Sequence, residues 1–327
     1  MTARGARIEV SHLSKKFGSL MAVDDLSFTV EPGRVTGFLG PNGAGKTTTL
    51  RMMLGLVHPT SGTATIGGTA YVHLDRPLHM VGAALEATNF HPGRSGRDHL
   101  RVLAAAGGIP EARVDAMLEL VAIPAAARQR AGAYSMGMRQ RLGLAAALLG
   151  DPDVVVCDEP ANGLDPEGIR WLRGLLRALA EEGRTILVSS HMLAEMQQIA
   201  DDIVIIANGK LVRQGSIVEL EGQRKAFVRS SDPDRLTAEL SGAGMPVTSV
   251  PGGLMVGSDD LVRIGDTALA SGVAIHELRL EGTDLEQLFF ALTDRPEHRN
   301  RNLGAAPNPD NHPDPLAVTA DSRGGDR

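Results

Sequence analysis

The chain has 327 residues, 43% of them apolar and 22% charged, enough for one large domain with a sizeable core and a smaller companion. That usage excludes disorder throughout. With 33 Lys and Arg against 39 Asp and Glu the net charge is −6, a balance that does not indicate a general nucleic-acid binder.

The first residues, MTARGARIEV, lack the apolar run of a signal peptide, and no stretch approaches the ~20 apolar residues of a membrane helix. Residues 7–10 and 26–30 read as strands, and 34–39 as a third that feeds a glycine-rich loop. A helix is predicted from about Thr47 to Leu56, followed by a turn cluster over 58–62. Residues 97–106, 112–121 and 139–148 are three helical runs separated by Gly-Gly and Pro breaks. Val154-Val155-Val156-Cys157 lies between Asp-Pro and a pair of carboxylates, which is how a buried parallel strand reads. Cys157 is the one cysteine, taken as a core residue; alone it allows no internal disulfide and no cysteine-based zinc site, and it fits a reducing cytoplasm. A helix over 168–179, a strand over 185–189, a helix over 193–200 and a strand over 203–207 follow, the last ending in a turn at Asn208-Gly209. Strands alternating with helices predict an α/β layered domain over residues 1–220, with a helical subdomain at about 88–150.

Near Leu220 the texture changes. Short strands at 225–229, 247–250, 254–256 and 273–278 alternate with helices at 236–240, 260–270 and 284–292, predicting a small α+β domain over 221–295. From Pro296 to Arg327 the larger aliphatics are Leu303, Leu316 and Val318 among five prolines, so residues 296–327 are expected to be a disordered tail.

Gly40-Pro41-Asn42-Gly43-Ala44-Gly45-Lys46-Thr47 matches G-x-x-x-x-G-K-[ST] between a predicted strand and a predicted helix. Such a loop curls backbone N–H groups around phosphates, and the helix N-terminus adds a favourable dipole. Lys46 can reach the β- and γ-phosphates and Thr47 can ligate Mg²⁺; Thr48 continues the loop. Asp158 and Glu159 close the apolar strand. The first can hold Mg²⁺ through water, and the second can orient or deprotonate an attacking water. Tyr134-Ser135-Met136-Gly137-Met138-Arg139-Gln140-Arg141 opens a helix that Ser135 can cap, and read alone it is a plain helix cap. Asn162-Gly163-Leu164-Asp165 follows Glu159 closely. His191 stands just past the strand over 185–189, where ligands gather in α/β sheets.

In this order the motifs of residues 7–220 resemble the ATP-binding subunit of an ABC transporter. Ser135-Met136-Gly137-Met138-Arg139 stands where that family has its Leu-Ser-Gly-Gly-Gln signature, with Tyr134 in the leucine position. The resemblance implies a P-loop ATPase fold, ATP and Mg²⁺ as ligands, and roles residue by residue. Gly40 to Thr48 cradle phosphate, Glu159 is the catalytic glutamate and His191 the switch histidine. Ser135 and Gly137 contact phosphate, and Gly163-Leu164-Asp165 forms the D-loop. Phe17, within Lys16-Phe17-Gly18, falls where an aromatic stacks on adenine; a core aromatic is the alternative. Where most members have a glutamine facing the metal, this chain has Glu86. A carboxylate there can still face Mg²⁺, but it adds charge and loses the amide donor.

The segment Val81 to Glu86 with Phe90-His91-Pro92, and the later Gly282 to Phe289, resemble the bacitracin and daunorubicin exporter branch. One set of motifs in one chain implies a second copy or a homologous partner, arranged head to tail so that each P-loop faces the other subunit's signature, and the well-formed signature favours a homodimer. It also implies a separate membrane permease contacting the region around 86–130, and a place on the cytoplasmic face of the membrane. Export of a drug, antibiotic or lipid-like substrate is the reading this favours. An importer ATPase and a soluble ABC-type ATPase acting on ribosomes or nucleic acid are the alternatives.

Overall fold

The structure, a computed structural model, describes residues 4–85, 90–221 and 225–281. Strands β1 (Ile8–Phe17) and β2 (Leu20–Val30) form an antiparallel hairpin. β3 (Val35–Leu39) leaves it for a central sheet and runs through the glycine-rich loop into α1 (Lys46–Met53). β4 (Ser61–Ile66) returns to pair with β1. The hairpin strands run well beyond 7–10 and 26–30. His12 and Asp25 take positive φ, at 52° and 53°, and the β1–β2 register shifts beside them. These bulges break the alternation a strand is recognised by. β4, which begins within the turn cluster expected over 58–62, is an edge strand whose first three residues are exposed, so it carries little apolar pattern.

A short helix α2 (Pro77–Met80) and strand β5 (Val81–Ala84) precede the helical region. That region holds α3 (Gly96–Gly107), α4 (Ala112–Leu120) and α5 (Met136–Leu148). Next come β6 (Val154–Asp158), α6 (Pro166–Glu181), β7 (Thr185–Ser190), α7 (Leu193–Met196) and β8 (Asp202–Ala207). β9 (Lys210–Ser216) turns back at Asn208-Gly209, and α8 (Ile217–Glu221) follows.

The central sheet has the order β5-β6-β7-β3-β8-β9, parallel except at β9. Its inner strands are buried on both faces, and alternate residues enter different cores. Val155, Cys157, Ile186 and Val188 pack with Leu142 of α5 and Leu172 of α6. Val154, Val156, Leu187 and Val204 pack with Leu50 and Met53 of α1 and with Ile8 and Phe28 of the hairpin. This parity puts Asp158 on the face of Val154 and Val156, toward α1. The order also makes β6, β7 and β3 consecutive neighbours, so the loops at their carboxyl ends converge.

Beyond residue 224, β10 (Lys225–Ser230), α9 (Pro233–Gly242), β11 (Val247–Val250), β12 (Gly253–Val256), α10 (Leu261–Ala270) and β13 (Ile275–Glu281) form a βαββαβ unit. Its four-stranded antiparallel sheet has the order β11-β12-β10-β13. Ala226, Val228, Leu236, Leu240, Leu254, Val256 and Ile264 give it a core of its own. The helix expected at 284–292 and the tail from 296 lie outside the described residues. Among those described, no helix is long and apolar enough to cross a membrane.

Candidate nucleotide-binding site

Residues 40–46 carry the chain from β3 into α1 with Gly43 and Gly45 at positive φ, 80° and 104°. A Cβ on Gly45 would stand 2.6 Å from the Ala22 carbonyl oxygen, so any side chain would push the loop off the hairpin. The Ala44 N–H donates to the Pro41 carbonyl at 3.1 Å, and the Ala44 carbonyl accepts from Gly209 N–H at 2.9 Å. The loop is thus pinned on both sides.

Lys46 starts α1 and is 6% exposed, and a cation so buried needs polar partners. Its Nζ donates to the Gly40 carbonyl at 2.7 Å and lies 3.3 Å from Glu159 Oε1. Thr47 Oγ1 donates to Asp158 Oδ2 at 2.7 Å, joining the loop to the end of β6. His191 Nδ1 is 2.8 Å from Glu159 Oε2. Glu159 therefore stands between a buried ammonium and an imidazole, at a backbone φ of +50° that non-glycine residues seldom adopt. Cys157, behind them, has its thiol pushed up to about 12 by burial and by the neighbouring Asp158 charge, which leaves it inert packing.

A cavity of about 440 Å³ opens over these groups. Phe17 and Leu20 line it from the hairpin, Asn42, Gly43, Gly45, Lys46, Thr47 and Thr48 from the loop, and Glu159, Asn162 and His191 from beyond β6 and β7. Phe17 is 47% exposed, with Lys15 Nζ 4.9 Å from its ring centroid. The core-aromatic alternative is thereby excluded. The residues suit a magnesium–nucleotide complex. Backbone donors, a buried lysine and a helix N-terminus favour polyphosphate. A hydroxyl beside one carboxylate is the sparse protein donor set that Mg²⁺ takes when phosphates and water complete its shell.

Ser135, Gly137 and Asp165 do not line this cavity. Ser135 Oγ accepts the Met138 N–H at 3.2 Å and so caps α5, while Asp165 Oδ1 accepts the Gly168 N–H at 2.8 Å and caps α6. A Cβ on Gly137 would approach the Gly163 carbonyl to 3.2 Å, which sets α5 close against the loop before α6. Gln140 reaches the Asn162 carbonyl from the same helix at 3.3 Å. Tyr134 is buried, and its hydroxyl donates to the Ala126 carbonyl at 2.7 Å. Glu86 lies outside the described residues. Sequence reading missed Leu20, Ala22 and Asn162, which also line the cavity; the first two depend on where the hairpin bends. It also missed Ser189, which looks like one more residue of a buried strand.

A strand–loop–helix phosphate cradle, a buried lysine, a hydroxyl–carboxylate pair and a following glutamate define a P-loop nucleoside triphosphatase. The chain belongs to the ATP-binding subunits of ABC transporters. Residues 23–162 match the ABC transporter family, and residues 224–286 match a domain of unknown function. The bacitracin transport ATP-binding protein BcrA of Enterococcus faecalis is 36% identical over 279 residues, covering 84% of this chain and 89% of that protein. The Nod factor export ATP-binding protein I of Burkholderia lata is 38% identical over 245 residues, covering 72% and 81%. A solved ATP-binding subunit of an ABC transporter superposes with a TM-score of 0.60 at 28% identity, over 66% of this chain and 92% of that one. A dimeric ATP-binding cassette bound to ADP and Pi, 22% identical with a TM-score of 0.59 over 64% and 99%, shares the fold. The protein is an ATP-binding and ATP-hydrolysing ABC-transporter ATPase.

Proposed function

We propose that this ATPase powers export of a drug, antibiotic or lipid-like substrate through a separate membrane permease. It works as a homodimer at the cytoplasmic face of the membrane, with no nucleic-acid partner. The observation that carries the reading is the Glu159 carboxylate, which lines the cavity between Lys46 and His191. The direction of transport is supported by relatives named for bacitracin transport and Nod factor export.

In this reading Phe17 stacks on the base, and Gly40, Pro41, Asn42, Gly43, Ala44, Gly45, Lys46, Thr47 and Thr48 enclose the phosphates. Thr47, Asp158 and Glu86 serve Mg²⁺, which when bound draws charge from the phosphate oxygens. Glu159 takes the proton of the attacking water. His191 fixes the Glu159 carboxylate and stays within reach of the γ-phosphate. Ser135, Gly137 and Asp165 complete the site of the opposite subunit. Their place outside this chain's own cavity supports that assignment, as does the exposed N-terminus of α5 at Ser135. Residues 1–220 are the ATPase domain, with a helical subdomain at about 88–150. Residues 221–295 are an accessory domain and 296–327 a tail.

Pull-down of the tagged chain from detergent-solubilised membranes tests the function. Recovery of a membrane protein with about six spans that stimulates MgATP turnover is the expected result. Turnover that no membrane protein changes, with none recovered, contradicts it.

A further inference from the structure

Ser189, the penultimate residue of β7, lies opposite Asp158 in the parallel register and is completely buried. A serine hydroxyl has one proton to give and lone pairs to receive with. Here the proton goes to Asp158 Oδ1, and the oxygen accepts the Glu159 N–H at 2.9 Å. One side chain thus touches both consecutive carboxylate residues at the end of β6.

The consequences differ for the two. Asp158 has its Oδ2 engaged by Thr47 at 2.7 Å, so with Ser189 on Oδ1 neither oxygen is free to swing and the carboxylate plane is fixed. Glu159 sits at φ +50°, a conformation that residues with a Cβ seldom adopt. Its N–H is held by Ser189 Oγ and, at 3.3 Å, by the Ser189 carbonyl. Its carbonyl accepts from Asn162 N–H at 3.2 Å. We infer that Ser189 is a positioning residue that sets the plane of the magnesium carboxylate and the backbone from which Glu159 reaches the water. The inference rests on the roles proposed above for Asp158 and Glu159. Ser190, the next residue, provides a contrast. It is equally buried, but its hydroxyl accepts from Met192 N–H at 2.9 Å and lies near Glu195 at 3.2 Å, away from both carboxylates.

The test is ATP binding to the full chain in a Glu159→Gln background, by titration calorimetry with Mg²⁺ and with EDTA. The ratio of the two affinities reports metal placement without turnover. Ser189→Ala is expected to reduce that ratio by roughly 10–100-fold, the usual effect of losing a group that orients a metal ligand, while the EDTA affinity holds. Ser189→Cys, nearly isosteric with a poor donor, should do the same, Ser189→Thr should restore the ratio, and Ser190→Ala should leave it alone. An unchanged ratio in folded Ser189→Ala and Ser189→Cys proteins overturns the inference. So does an equal loss with Mg²⁺ and with EDTA, which is the mark of general damage. If the Glu159→Gln parent itself gains nothing from Mg²⁺, the metal-site reading falls as well, and the two failures are told apart by that control.

Discussion

His191 Nδ1 meets Glu159 Oε2 at 2.8 Å, while the other oxygen of the same carboxylate faces Lys46 Nζ at 3.3 Å. The two contacts have different consequences. Lys46 belongs to the phosphate loop, so Lys46→Ala is expected to weaken MgATP binding and abolish turnover together. His191 comes from the loop after β7, so His191→Ala should leave nucleotide affinity within a few-fold. Turnover should fall by roughly 10²–10³, the range for losing one pre-positioned group at the reacting centre. Equal losses of binding in both variants, measured by calorimetry beside a phosphate-release assay, would put His191 in the binding machinery instead.

Asp151 ties three parts of the ATPase core together. Its carboxylate receives Arg4 from the N-terminal segment, Arg113 from α4 at 3.2 Å and Arg184 ahead of β7 at 2.9 Å. Burial pushes the Asp151 carboxyl upward, but the hydrogen bonds from Arg4 and Arg184 outweigh it and hold the group below its ordinary value. A depressed carboxyl stabilises the fold above its unfolded pKa, and the contribution is lost as pH falls through the folded one. Asp151→Asn tolerates the positive φ of 56° and removes the charge. The expected loss at neutral pH is about 1 kcal/mol, kept small because the side chain is 47% exposed. Urea midpoints should differ at pH 7 and converge below the ordinary carboxylate range. A difference that persists undiminished at pH 3 would mean the cost is packing and not charge.

Much of the site was legible in the sequence for a physical reason. A phosphate cradle needs glycines, a lysine and a hydroxyl at fixed spacing along one loop, so Gly40 to Thr47 announce themselves. Asp158 and Glu159 are legible because four apolar residues must bury the strand before them. The sheet core is readable on the same ground, since β3, β6, β7 and β8 are buried along nearly their whole length. β9 is different: it is mostly exposed along the edge of the sheet, so its sequence carries no apolar pattern. β5, Val-Gly-Ala-Ala, is short and built of small residues, and a Cβ on Gly82 would stand 2.1 Å from the Ala147 carbonyl oxygen on α5. The role of Ser189 depends on cross-strand register, which no local pattern encodes.

The unit from Lys225 to Glu281 has its own core, and no group within it joins the nucleotide cavity. The tail from Pro296 carries few large apolar residues. Deleting residues 300–327 is therefore expected to leave soluble expression, the thermal midpoint and ATP turnover unchanged. Loss of folded protein on that deletion would contradict the reading of the tail as dispensable.

In the proposed function Glu159 activates water at a site completed by Ser135 and Gly137 of a second copy. Glu159→Gln removes the charge and the base while nearly keeping the shape, and leaves Lys46, Thr47 and Asp158 in place. Nucleotide affinity should survive, and hydrolysis should drop by roughly 10²–10⁴. The uncleaved γ-phosphate would then hold the two copies together. Ser135→Arg in the same chain should abolish the pairing by crowding the contact across the interface. The measurement is light scattering of the Glu159→Gln protein with and without MgATP. A monomer is expected to become a stable dimer on MgATP and to fail to do so with Ser135→Arg added. A protein that stays monomeric at saturating ATP even with its permease, or a dimer indifferent to Ser135→Arg, would contradict it.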